Sequence, residues 1–204
     1  MSMNIVALFS EKAYNMICAF LGSNWYAVVA TIALGALTVA HIVYAFILTA
    51  QNRSARGNER YAVNGSSPKV EWASKNMLVL GIIVLLGILL HLFNFWYNMM
   101  FAEIVGFEGK YSPTAGYSYI VETFKNPVFV VLYIVWLCAI WYHLSHGFWS
   151  AMQTLGINGK IWFKRWKMIG LVYTTLLMLG FLIVVLAFTF GCAPSLHSAC
   201  CLIH

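Results

Sequence analysis

The sequence is short of charge. Asp, Glu, Lys and Arg together make up 9% of the 204 residues, whereas 62% of the residues are hydrophobic. A domain that folds in water carries about 25% charged residues, so this composition excludes an ordinary water-soluble core. A mean hydropathy of +0.80 agrees, and we interpret the chain as an integral membrane protein.

Acidic residues are missing from four long apolar runs, at about 25–50, 76–101, 127–150 and 168–190. Each run exceeds the roughly 20 residues that cross the hydrocarbon core of a bilayer. A backbone inside lipid must satisfy its own hydrogen bonds, and a barrel would show alternating segments of about ten residues. The sequence therefore predicts an all-α transmembrane bundle of four helices in one domain, residues 1–204. With no carboxylate in any span, a carboxylate proton relay through them is not supported.

The basic residues are distributed unevenly. Nine of the twelve lie between the first and second runs or between the third and fourth: Arg53, Arg56, Arg60, Lys69, Lys75, Lys160, Lys164, Arg165 and Lys167. By the positive-inside rule both segments face the cytoplasm, so residues 102–126 and both termini lie outside. The net charge of +6 is then a signal of topology. No nucleic-acid partner is expected, since no soluble basic domain exists.

Residues 1–22 lack the basic stretch and apolar segment of a cleavable signal peptide. An N-terminus outside the membrane therefore requires either that these residues cross unaided or that a further helix precedes residue 1.

Three of the runs contain a deeply placed histidine: His41, His91 and His143. Ionisable residues inside a membrane are rare and usually functional, although a neutral histidine can also hydrogen-bond a carbonyl on a neighbouring helix. Three such residues in one chain favour a shared prosthetic group.

Depth indicates which histidines can act together. At about 1.5 Å per residue, His41 and His143 lie roughly 14 and 11 Å from the cytoplasmic ends of their spans, whereas His91 lies roughly 22 Å from its own. Two imidazoles at one level can hold a haem iron from both sides. The sequence thus predicts His41 and His143 as axial ligands of a b-type haem, and the absence of CxxCH gives no indication of covalent attachment.

Zinc is the main rival, but its sites usually combine three or four ligands at one level. His146 lies too close to His143 to take the opposite axial position. We expect it to be secondary: it caps a carbonyl, meets a haem propionate or anchors at the interface. Small residues four positions from the histidines indicate either room for a flat ring or ordinary helix packing: Ala45, Gly87, Ala139 and Gly147.

Three segments carry a resemblance to a known family: "VAHIVYAFIL", "LLHLFNFWYNMMF" and "YHLSHGFWSAMQTLGI". With them the chain resembles the dihaem cytochrome b membrane anchor of succinate:quinone oxidoreductases and fumarate reductases, of the single-chain, five-helix, Bacteroides-like type. The most specific element is H-x-x-x-G-x-W-S, which begins at His143. The family's first helix has no counterpart in these residues.

The resemblance implies ligands, cofactors and partners. His41 and His143 match the inner haem pair, and His91 matches one ligand of an outer haem whose second ligand would lie on a helix before residue 1. The subunit would pass electrons between a quinone, with menaquinone expected, and an iron–sulfur subunit and a flavoprotein, without acting on dicarboxylates itself. It would lie in the bacterial cytoplasmic membrane among lipids, dock its partners through residues 51–75 and 153–167, and form a dimer of complexes.

The quinone site is specified less well. Asn94, Trp96, Tyr97 and Glu11 could hydrogen-bond a quinone carbonyl or accept a proton near the outer side, but interfacial anchoring explains the same residues. Other classes stay open: the haem b anchor of a hydrogenase or formate dehydrogenase, a structural anchor, or a transporter, although the spans show few of the polar midplane residues of a transporter.

Overall fold

A computed structural model describes residues 1–56, 72–107, 109–157, 159–193 and 195. These residues form helices and contain no strand, which confirms the all-α prediction. Arg60 and Lys69, predicted at the cytoplasmic side, lie outside the described residues. The helices are α1 Ser2–Phe9, α2 Glu11–Ser23, α3 Trp25–Arg56, α4 Trp72–Lys75, α5 Met77–His91, α6 Ala102–Val105, α7 Gly116–Lys125, α8 Pro127–Thr154 and α9 Lys160–Thr189.

Four helical stretches are long and apolar enough to cross a membrane: Trp25–Ala55, Met77–Val105, Pro127–Thr154 and Lys160–Thr189. Their number and order match the four predicted spans. The last one begins at Lys160, well before the predicted residue 168, because its basic and aromatic first two turns continue the helix without being apolar. The fold is that of a multi-pass membrane protein.

The second span contains two kinds of helix. Between α5 and α6 the residues Leu92–Phe101 form a π-helix, which is wider than an α-helix. Such segments are rare in proteins, and those that occur often lie at functional sites. Gly106, with φ of 70°, ends α6 in the left-handed conformation that suits a glycine after a helix. The π-helical segment starts directly after His91.

The larger buried core lies between α8 and α9 and the short helices α1, α2 and α7, and a smaller one lies between α5 and α8. The buried side chains of the larger core include Tyr133 and Leu137 on α8 and Met178 and Val185 on α9. Helix α8 starts sharply, because the Asn126 side chain accepts a hydrogen bond of 2.9 Å from the Val128 amide and Pro127 occupies the first turn.

Three short helices close the predicted outer end of the bundle: α1, α2 and α7. Ser195 joins two of them, because its Oγ accepts from the Tyr117 hydroxyl at 2.9 Å and donates to the Ala7 carbonyl at 2.8 Å. The Asn15 side chain accepts a further bond of 3.0 Å from the Tyr117 amide. The N-terminal segment is therefore part of the packed structure.

Helix α3 stands apart from this core. Its most apolar stretch has 0% of its residues buried within the chain. Among the described elements, α2, which immediately precedes it, is the one that packs closely on it. The middle of α3, where His41 lies, therefore faces α8 without close packing of the two backbones.

Candidate functional site

Two histidines face each other across the gap between α3 and α8. The rings of His41 and His143 have centroids 6.2 Å apart and are nearly perpendicular, at 84°. The backbones of the two helices are not packed together there, so the imidazoles extend toward each other from separate supports. The structure thus brings together the two histidines that the depth argument placed at one level.

The spacing of the rings suits a metal held between them. An imidazole nitrogen lies about 2.0–2.1 Å from a bound first-row metal, so two rings that ligate one metal from opposite sides have centroids roughly 6 Å apart. The Nδ1 atom of His143 is buried and has no hydrogen-bond partner. An unsatisfied buried polar atom costs about 1–3 kcal/mol, which a bound group at this position would offset.

A zinc site at this position would have too few protein ligands. Among the residues that the structure describes, no group of three or more His, Cys, Asp or Glu side chains could hold a metal ion. Two opposed imidazoles leave the other positions around a metal unfilled, and a porphyrin would supply four nitrogens in one plane. The donor set fits haem better than a bare ion.

A glycine that the sequence pattern did not single out lies beside His143. A β-carbon built on Gly81 of α5 would lie 3.7 Å from the His143 Cε1 atom, which is ordinary van der Waals contact. Gly81 is distant from every histidine in sequence, so only the packing of α5 on α8 could have indicated it.

At two of the four small residues the structure shows helix packing, which is the second of the two alternatives given for them. A β-carbon on Gly87 would lie 1.9 Å from Trp136, whose indole N–H donates to the Val84 carbonyl at 3.0 Å. Ala139 is buried against Leu80. By contrast, a β-carbon on Gly147 would meet nothing within 4 Å.

His146 lies in a different environment from His143. Its ring contacts that of Trp149 edge-on at 4.8 Å, and the Lys167 ammonium lies 5.5 Å from the centre of the same indole. The Trp149 Nε1 atom is buried without a partner. His146 thus belongs to an aromatic and basic group near the predicted cytoplasmic ends of α8 and α9.

His91 is separate from the His41–His143 pair. It contacts Trp136 at 5.6 Å and Tyr133 at 6.4 Å between ring centroids, and it lines a cavity of about 330 Å³. Trp136 and His143 are seven residues apart on α8, about 10 Å along its axis. The structure therefore contains two histidine sites at different depths.

The four residues predicted for a quinone lie in different surroundings. Asn94 is buried and donates to the Tyr133 hydroxyl at 3.4 Å. Trp96 packs against Phe101, as does Tyr97. Glu11 lines a separate cavity of about 600 Å³ on the predicted outer side.

That outer cavity is lined by charges of both signs: Glu11, Glu122, Lys110 and Lys125. Lys110 donates to Glu122, and this hydrogen bond lowers the pKa of the Glu122 carboxyl, with a further contribution from Tyr111. These groups are exposed, so the ion pair contributes little to stability. The charges balance, and the cavity has no net preference for an anion or a cation.

Comparison of the chain with protein-family models, with curated proteins and with solved structures gives no match. The fold and the site define a class: a multi-pass helical membrane protein in which two histidines from different spans face each other. What this class of site does must be argued from its own residues.

Proposed function

We propose that this chain is a haem b-containing membrane anchor that transfers electrons between a membrane quinone and the iron–sulfur and flavoprotein subunits of a succinate dehydrogenase or fumarate reductase. The observation that carries the proposal is the approach of the His41 and His143 rings to 6.2 Å between helices whose backbones are not closely packed. The sequence segments around His41, His91 and His143 support the assignment to this type of complex.

The haem assignment rests on shape and charge. A flat macrocycle fills space between two helices that stand apart, and its apolar edges suit apolar walls. Neutral imidazoles would coordinate the iron without adding charge, and the one carboxylate side chain in the four spans, Glu103, lies at the predicted outer end of the second. When bound, haem supplies reversible one-electron transfer at a potential that the axial ligands and burial determine.

The protein's own residues would hold this centre. His41 and His143 would hold the group from two separate helices. Lys160, Lys164 and Arg165 lie in the first turns of α9, on the side that we infer to be cytoplasmic. This basic surface favours docking of a partner with an acidic face.

The ligand assignment is tested by spectroscopy on the purified full chain. Wild type is expected to show a reduced-minus-oxidised spectrum of b type, and His41→Ala and His143→Ala are each expected to lose it. Val43→Ala and Leu144→Ala, which change exposed residues on the same two helices, are the matched controls and should keep the spectrum. A spectrum that survives in both histidine variants removes the assignment.

The partners are tested in native membranes. Addition of succinate should reduce the haem of the wild-type chain when the flavoprotein and iron–sulfur subunits are present. Reduction by hydrogen or formate, with none by succinate, would instead assign the chain to another membrane oxidoreductase.

A further inference from the structure

The outer cavity, of about 600 Å³, lies at the end of a membrane span. Helix α8 begins at Pro127 and has 28 residues, so at 1.5 Å per residue it is about 42 Å long and exceeds the roughly 30 Å of the hydrocarbon core. Asn126, immediately before α8, and Phe129, in its first turn, both line the cavity. The cavity therefore lies at the boundary between the apolar and polar layers of the membrane, where lipid head groups are found.

The charged residues of this cavity are not all paired with one another. Lys110 and Glu122 form an ion pair. Glu11 and Lys125 also line the cavity, and neither forms an ion pair or a side-chain hydrogen bond with another residue that the structure describes. Glu11 is half-buried, whereas Lys125 is exposed. One carboxylate and one ammonium group are thus available to a ligand.

Neutral groups and an apolar wall complete the cavity. The Ser118 hydroxyl has no hydrogen-bond partner among the described side chains and backbone groups. The Asn126 side-chain oxygen accepts from the Val128 amide, which leaves its NH₂ group free to donate. Val121 and Phe129 provide apolar surface beside these donors. A cavity of this size that combines apolar walls with a few polar groups is typical of a small-molecule site.

We infer that the outer cavity binds the head group of a zwitterionic phospholipid of the phosphoethanolamine type. Its phosphate accepts from the Lys125 ammonium and the Ser118 hydroxyl, and its ammonium donates to the Glu11 carboxylate. The acyl chains leave the cavity along Phe129 toward the hydrocarbon layer.

The charges distinguish this head group from those of other lipids. An anionic head group without an ammonium would lie beside the Glu11 carboxylate, and like charges repel. A choline head group cannot donate a hydrogen bond to a carboxylate, whereas a primary ammonium carries three donors. The head group that carries both a phosphate and a primary ammonium matches the two unpaired residues, Glu11 and Lys125.

The test uses the full chain in detergent, with short-chain phosphatidylethanolamine and phosphatidylglycerol as probes and bound lipid counted by native mass spectrometry. Glu11→Gln should weaken phosphatidylethanolamine binding about 3- to 10-fold and shift the preference toward phosphatidylglycerol, because Lys125 is then unopposed. Lys125→Gln should weaken the binding of both lipids. Glu103→Gln and Lys12→Gln change exposed charges that do not line the cavity, and these matched controls should bind like wild type.

Two results would overturn the inference. If wild type, Glu11→Gln and Lys125→Gln bind the two lipids equally, the lipid is held only by the apolar surface of the spans. If soluble phosphoethanolamine binds as tightly as the lipid, the cavity takes a free zwitterion instead. The measurement requires neither haem nor a partner subunit, so either result leaves the proposed function unaffected.

Discussion

At the scale of single residues, the immediate surroundings of a side chain decide its role more than its type does. His143 faces a second imidazole and has a buried ring nitrogen without a partner, whereas His146, three residues later, packs on Trp149. Both are half-buried histidines on one helix. Only the first has the geometry that a metal-centred group requires.

Gly87 allows the close packing of α5 on Trp136, and this can be tested by substitution. Because a β-carbon there would overlap the Trp136 indole, Gly87→Ala should destabilise the protein by about 1–3 kcal/mol, the usual cost of overpacking. Thermal unfolding in detergent measures the change. Gly35→Ala, where nothing lies within 4 Å, is the control and should leave stability equal or slightly higher, since alanine is the better helix former. Equal changes in stability at both positions would show that the Trp136 side chain moves aside at little cost.

The depth of a side chain was easier to predict from the sequence than the residues it contacts. The equal depth of His41 and His143 followed from counting residues along straight helices, and the rings do meet. A spacing of four residues places Gly87 on the same helix face as His91, and Ala139 on the same face as His143. It does not indicate which side chains fill the space beside them. That depends on which helix packs there, and Trp136 and Leu80 come from other helices.

At the scale of elements, the four long helices were predictable and the short ones were not. Apolar length alone determines a span in lipid, and the four spans agree with it. Helices α1, α2 and α7 carry mixed composition, so their amphipathic faces are recognisable only once the partners that bury them are known. The π-helical segment after His91 was not predicted from the sequence.

Ser195 tests how the outer elements are held together. Its replacement by alanine leaves the Tyr117 hydroxyl and the Ala7 carbonyl without their shared partner, both in a buried setting. Ser195→Ala should therefore lower the free energy of unfolding by about 1–3 kcal/mol, measured by denaturation in detergent. Ser112→Ala, at an exposed serine with a local bond to Thr114, should change it little. A Ser195→Ala variant as stable as Ser112→Ala would contradict this role.

At the scale of the whole molecule, orientation follows from the basic residues. The five cysteines are first replaced by serine. In that background, Ser112→Cys should react with a membrane-impermeant maleimide in spheroplasts, whose cytoplasmic membrane is intact. Ser54→Cys should react only after lysis, since we place the end of α3 in the cytoplasm. The opposite labelling pattern would reverse the topology and move the proposed docking surface to the other side.

The isolation of α3 has a consequence for how the proposed haem would reach its site. A helix that the other described elements leave largely uncovered along its length exposes the slot in front of His41 to the surrounding lipid. A flat, apolar molecule dissolved in the bilayer could therefore reach both imidazoles laterally, without crossing either aqueous face and without separating α8 from α9. If the proposed haem binds there, its loading would be the last step of assembly and would tie α3 to α8.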